Sequence, residues 1–453
     1  MNHRCQAISL LFAALTSTAV SATEPADLIR QLSASTVVAI SDGDFVGQTY
    51  ATGRLAPREA GHRDLLSVIS VVDGEIVSST LPVSNSVTAA PEILALTGNG
   101  NTAFVTERLG GRSGTAETVR ELPQGNRLFA VDLSDKSQPR LADTVEIAAF
   151  PEALSLNPTG SRVAVVSNTS QGSFVQIVSY RDGQFGDVAS FNLVELGVGM
   201  TTEGPRGGIT ATNVHWHPSG RYLAVNINTQ NRVVFFEVAG TPEQSSLRLW
   251  GNIVEVGNDP FVGRFSPDGR YYFTSDWGRN FTATNLEGRL PDRPSAISVI
   301  RLAEPGIAPN EANHTRVDNI ETDVAAEGLA VSPDGTLIAT VNMRGTAFPA
   351  NSGRFEREGT VTLLSFNGDS GELAKIADYP LEGVLPEGGA FDLTGDHFLA
   401  TVFQGHMDAG GDRGAGLEVF QVVKGKTPAL KSLGRIPLPH GVHHVDLAGA
   451  SAR

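Results

Sequence analysis

The chain has 453 residues, 49 of them glycine; 18% are charged, and the formal net charge is −15. An acidic balance with no basic cluster argues against a nucleic-acid partner, and no stretch is apolar for long enough to be read as a membrane-spanning helix. The single cysteine, Cys5, falls in the first few residues, so a mature chain lacking them has no disulfide, no thiolate zinc site and no cysteine nucleophile.

In chain order, the first segment is "MNHRCQAISLLFAALTSTAVSA". Arg4 gives a short basic start, residues 7–15 an apolar run too short to cross a bilayer, and Val20-Ser21-Ala22 a small-residue end. This is the pattern of a secretory signal peptide. Residues 1–22 are therefore expected to be removed, leaving 23–453 as one domain, periplasmic or secreted. Three strands follow without an inner partner: "TVVAIS" at 36–41, "LLSVISV" at 65–71 and "IVSSTLPV" at 76–83.

A repeat then begins. Tight turns ending in Gly recur as "TGNG", "NPTG", "HPSG", "SPDG", "SPDG", "DLTG" and "DLAG". Their last residues are Gly100, Gly160, Gly220, Gly269, Gly335, Gly395 and Gly449, spaced by 49 to 66 residues. A polar first residue and a final Gly suit type I turns. An apolar strand precedes each turn. A second follows ("TAFVTE", "RVAVVSN", "YLAVNIN", "YYFTSD", "LIATVN", "FLATVF"), then a third and a weaker fourth such as "LRLWGNIV". Four strands at this period make one propeller blade. The seventh copy, "HGVHHVDLAGASAR", ends after a single strand, which the N-terminal blade lacks. The expected fold is all-β: a seven-bladed β-propeller with four-stranded blades, closed by the C-terminal strand as the innermost strand of the N-terminal blade. That closure leaves no open sheet edge between the first and last blades.

The Pro-Glu-Gly and Ser-Pro-Asp-Gly hairpins resemble those of the YVTN and lactonase-like (phosphogluconolactonase-like) seven-bladed propellers, over nearly all of the mature chain. The resemblance implies that fold and, as an activity, hydrolysis of a small lactone or ester. One departure bears on mechanism. Where those propellers often carry Gly-Pro-Arg-His before the inner strand, this chain has Pro-Glu, and its one Gly-Pro-Arg, at 204–206, is followed by Gly.

Registering the seven turns on their glycines gives the candidate site. Eight residues earlier lie Glu92, Glu152, Thr212, Phe261, Glu327, Glu387 and Gly441, with His440 beside the last. These are expected at the channel mouth on the face of the long loops 42–64, 107–127, 276–295, 343–359 and 404–416, where function concentrates. Five residues before each Gly lie Ala95, Ser155, His215, Arg264, Ala330, Ala390 and His444. The three bulky ones belong to the blades without glutamate.

Four neighbouring carboxylates need a cation, a basic partner or raised pKa values. Glu92, Glu152, Glu327 and Glu387 are thus a candidate oxygen site for Ca²⁺ or Mg²⁺. The senescence-marker gluconolactonase propellers are similar in holding a divalent cation in the channel with an inner-strand Glu. The alternative is ion pairing with Arg264, Arg108 or Arg344. As catalytic groups, Glu327 or Glu387 would be the base, Arg264 or Arg344 would stabilise an oxyanion, and His440 would complete an acid/base wall. Glu92, Glu152, His215, His406 and His444 are candidate ligand contacts. His443 and His444 point to opposite faces if they lie on a strand. The glycine-rich loop "DAGGDRGAG" at 408–416 lacks calcium-loop spacing, and no hydrolase nucleophile motif stands out. The leading expectation is a monomeric propeller that binds a small molecule, a cation, or an envelope protein or glycan. A lactonase-like hydrolase and a purely structural envelope protein are the alternatives.

Overall fold

The computed structural model describes residues 23–198, 210–407 and 413–449. The signal-peptide segment, Gly-Pro-Arg 204–206 and residues 408–412 of the glycine-rich loop lie outside the described residues. Seven antiparallel sheets form the ring. Their innermost strands are Leu94–Leu96 (blade one), Pro151–Leu156 (two), Ala211–Trp216 (three), Pro260–Phe265 (four), Ala326–Val331 (five), Gly389–Phe391 (six) and Val442–Ala448 (seven). Blade seven has the order Val442–Ala448, Thr36–Ser41, Leu65–Val72, Glu75–Pro82. The C-terminal strand therefore closes the ring from inside, as the repeat count requires.

The turn glycines explain the repeat. All seven have φ between 67° and 73°, a left-handed conformation that costs a residue with a side chain more than glycine. In the first six the Gly N–H donates to the carbonyl of the first turn residue, at 2.7–3.0 Å. Where that residue is Asn157 or Asp392, its side chain also accepts the N–H groups that follow the turn. These turns define one face of the ring, and the loops joining second to third strands define the other.

Two features depart from the simple pattern. The fourth strand of blade three is broken into Ser246–Leu249 and Val254–Glu255, both paired with Arg232–Ala239. Between them Trp250 turns inward and stacks on Tyr222 at 3.8 Å, and Gly251 takes φ 76°. The short helix Pro25–Gln31, with proline in its first turn, packs against the outer strand Ala429–Pro437 of blade six and buries Leu28 completely. Among the described residues no helix is long and apolar enough to cross a membrane.

Candidate active site in the central channel

In four blades the registered position is a β-bulge, and two of the glutamates, Glu152 and Glu327, sit on one. In blades two to five one extra inner-strand residue interrupts the ladder: Glu152, Thr212, Phe261 and Glu327. In blade seven the extra residue is His443. A bulge re-aims a side chain out of the regular alternation, which turns these residues away from the face that counting by twos would give them. The glycine after the glutamate has its own cause. A Cβ on Gly328 would collide with the carbonyl of Glu387, and one on Gly388 would sit 2.6 Å from the carbonyl of His443. Glu-Gly is therefore where one inner strand passes close to the next.

The second registered set converges. Ala95, Ser155, His215, Arg264, Ala330, Ala390 and His444 all line one cavity of about 400 Å³, together with Glu92 and Asp446. Small residues in four blades leave room for the three large side chains of the others. Arg264 of blade four reaches across the ring, three blades away, and pairs with Glu92 through its Nη2. Burial pushes the Glu92 carboxyl up to about 7 against the pull of Arg264. Burial and then Arg264 push His215 down to about 3, and burial holds His444 well below its ordinary value. Asp446 accepts from the backbone N–H of Leu96 and Leu447, at 2.9 and 2.8 Å, and burial raises it to about 6.

The cavity wall includes Pro267, Ser332 and Pro333 of the tight turns, so its opening lies on the turn face. The expected long-loop face is capped instead. Phe45, Leu55, Leu109, Ala116, Leu122, Trp277, Leu290, Phe348 and Phe403, most of them from the long loops, pack into one buried apolar cluster. The loops cover each other rather than framing a mouth.

Under that cap lies a second buried group. Glu327 and Glu387 are 1% and 2% exposed, and among the described residues Glu327 Oε2 has no hydrogen-bond partner. Tyr50 Oη is 2.5 Å from Glu387 Oε1 and 2.8 Å from the Val87 carbonyl. Burial raises Glu327 to about 8, and burial followed by repulsion from Glu327 raises Glu387 well above the usual range. Nearby, Arg279 grips buried Asp259 with two donors, at 3.1 and 3.2 Å, and its guanidinium lies over the rings of Trp277, Phe261 and Phe281. Sequence reasoning missed Tyr50, Arg279 and Asp259. The one available signal was an arginine among aromatics, "DWGRNF", in a long loop.

The remaining candidates are held elsewhere. Glu152 takes Arg108 at 3.1 Å and the Asn168 amide at 3.1 Å. Arg344 does not meet Glu327: it pairs with Glu356 and, at 3.4 Å, with Asp323. His440 stacks on His62 at 3.7 Å and donates to the Phe45 carbonyl at 2.8 Å, so it serves the loop cap rather than an acid/base wall. His406 donates to the Arg357 carbonyl at 2.7 Å. The four glutamates thus fall into three separate groups, two of them already neutralised by arginine, and do not fit one Ca²⁺ or Mg²⁺. Among the described residues the one acidic cluster with ion-binding spacing is Asp42, Asp44 and Asp64. Asp42 and Asp64 there accept the backbone N–H groups of Asp44, Phe45, Val87, Gly43 and Asn85, which makes them caps of the 42–64 loop.

Fold and site together define a seven-bladed propeller with a polar central cavity. No family model and no curated protein matches this chain. Solved structures share its fold. The periplasmic gluconolactonase of Pseudomonas aeruginosa is 16% identical with a TM-score of 0.60, over 92% of this chain and 100% of that one. A provisionally named 6-phosphogluconolactonase of Bacteroides uniformis is 14% identical, also with a TM-score of 0.60 and the same coverage. A hypothetical selenium-binding protein of Sulfolobus tokodaii is 10% identical with a TM-score of 0.54, over 94% of this chain and 96% of that one. At these identities the likeness establishes the fold.

Proposed function

We propose that this chain is an exported hydrolase of a small lactone, working in the central cavity through Glu92 and Arg264. The observation that carries the reading is that Glu92, Arg264, His215 and His444, from four different blades, meet in one open cavity of about 400 Å³. Perturbed titratable groups converging in a cleft are the usual mark of an active site. The names of two structural neighbours, gluconolactonase and 6-phosphogluconolactonase, agree with it.

In this reading Glu92 takes a proton from water as the water oxygen attacks the lactone carbonyl carbon. Arg264 holds the charge that develops on the carbonyl oxygen. When the ring C–O bond breaks, the leaving oxygen takes that proton back from Glu92, and the product is the hydroxy acid. The base must be ionised, so kcat/KM should rise with pH through about 7, the value to which burial moves Glu92. A pH-stat assay over a panel of γ- and δ-lactones checks this. Glu92→Gln is expected to lose about 100-fold or more of the activity. A panel with no substrate, or a Gln variant as active as the wild type, sinks the reading.

A second reading keeps the cavity and drops the turnover. Glu92 and Arg264 satisfy one another, and a ligand carboxylate could take the arginine from the glutamate without any bond breaking. Sugar acids that bind by calorimetry, while no lactone is hydrolysed, would favour it. Export is supported by the pattern of the first 22 residues. Expressed in a Gram-negative host, the protein should appear in the periplasmic fraction with Thr23 as its first residue; Met1 retained in the cytoplasm would overturn this.

A further inference from the structure

We infer that His215 and His444 hold opposite tautomers, so that the cavity offers a hydrogen-bond acceptor on one side and a donor on the other, and selects a ligand carrying a free hydroxyl opposite a carbonyl or carboxylate oxygen. This rests on the cavity being the ligand site.

Each ring's proton is placed by the group its Nδ1 faces. The backbone N–H of Ile93 donates to His444 Nδ1 at 3.1 Å. A backbone N–H can only donate, so Nδ1 of His444 carries a lone pair and the proton of the neutral ring sits on Nε2. His215 is the reverse. Its Nδ1 lies 3.1 Å from the Trp216 carbonyl oxygen, which can only accept, so Nδ1 carries the proton and Nε2 is bare. Among the described residues neither Nε2 has a hydrogen-bond partner, and both residues line the cavity. Burial and the Arg264 charge keep both rings neutral, which is what makes the two tautomers distinct; a protonated imidazole would be a donor at both nitrogens.

The two rings stand on blades three and seven, on opposite sides of the channel. Arg264, on blade four beside His215, adds a cationic donor, and Glu92, on blade one beside His444, adds an acceptor. Arg264 and Glu92 already pair with each other, so the two ring nitrogens are what remain unmatched, and a ligand that satisfies both must donate and accept. A hydroxylated lactone or the corresponding hydroxy acid does both: its hydroxyl can donate to His215 Nε2 while another oxygen accepts from His444 Nε2–H. An unsubstituted lactone has acceptors only and leaves His215 unpaired. A cavity built around a hydroxyl rejects an analogue lacking it, because its own polar group then stays dry and unmatched.

The test has two parts, so that failure of this inference and failure of the lactonase reading are distinct. Long-range ¹H–¹⁵N NMR of the mature chain with ¹⁵N-labelled histidine, assigned with His215→Gln and His444→Gln, should show His215 protonated at Nδ1 and His444 at Nε2. The same tautomer in both rings overturns the proposal whatever the protein hydrolyses. Next, D-glucono-δ-lactone and the hydroxyl-free δ-valerolactone are compared as substrates. His215→Phe, which keeps the ring volume and loses the acceptor, should narrow the wild-type preference for the hydroxylated lactone by roughly tenfold. His215→Gln, whose amide oxygen still accepts, should narrow it less. A preference unchanged in both variants overturns the proposal. If the wild type turns over neither lactone, the lactonase reading falls. Calorimetric binding of gluconate against unsubstituted valerate then serves as the same comparison, with the same outcomes deciding it.

Discussion

Arg264→Met should lower kcat/KM for the best lactone by about 10²–10³-fold at neutral pH and move what remains to higher pH. Two losses combine. The guanidinium that would hold the carbonyl oxygen is gone. Glu92, 6% exposed, also loses the cation that pulls its pKa down, so it stays protonated further above 7 and is a base over a narrower range. The direct readout is the pH dependence of kcat/KM: the rising limb of the variant should lie above that of the wild type. Arg264→Lys should fall between them, because an ammonium keeps the charge but not the planar two-armed geometry. Removing one partner of a buried pair is destabilising while the other stays charged, but a protonated Glu92 does not demand a counter-charge, so the variant should fold and lose stability only as pH rises and Glu92 ionises. A variant that folds and keeps both its rate and its pH profile would remove Arg264 and Glu92 from the chemistry.

The blades were legible because their signal is local. A turn needs a left-handed residue, glycine supplies it, and seven such glycines at one period fix seven hairpins. Closure followed from a strand deficit at one end and a surplus at the other. The converging set was legible for the same reason: residues at one register position of every inner strand share a height in the channel, so His215, Arg264 and His444 could be placed together by counting. The glutamates could not. Bulges at Glu152 and Glu327 break the alternation on which counting relies, and the reach of Arg264 to Glu92, 172 residues away in sequence, depends on the width of the ring. The long loops carry no period at all. That Phe45, Trp277, Phe348 and Phe403 pack into a cap and close the expected mouth is a tertiary fact, as is the delivery of Tyr50 and Arg279 into the space beneath it.

Beneath that cap, Glu387→Gln should make the protein more stable than the wild type above about pH 8 and not below about pH 5. The Tyr50 hydroxyl has one proton and two close oxygens. The Val87 carbonyl can only accept, so when the phenol donates there, the short contact between Tyr50 Oη and Glu387 Oε1 needs a proton from the carboxyl. Glu387 is then a neutral acid, in keeping with the upward push from burial and from Glu327. The sign follows from linkage. Glu327, with an ordinary value of 4.5, is raised to about 8, and Glu387 shifts in the same direction. Their contribution to stability is complete below 4.5 and is lost as pH rises through about 8. At about 1.4 kcal/mol per pKa unit, the loss across that window is on the order of a few kcal/mol. Glutamine copies the protonated acid, keeps a donor for Tyr50 and cannot ionise, so the variant should not suffer its share of that loss. The wild-type curve alone would not reveal this, because buried neutral histidines such as His443, held down to about 3, lose stability toward acid and bend the profile the other way. The difference between variant and wild type in urea midpoint, taken at pH 5 and pH 9, isolates the carboxyl. It also tells a proton from a cation: if a metal ion bridged Glu327 and Glu387, glutamine would weaken the site most at high pH, where the wild-type carboxylates bind the ion best, and the difference would carry the opposite sign.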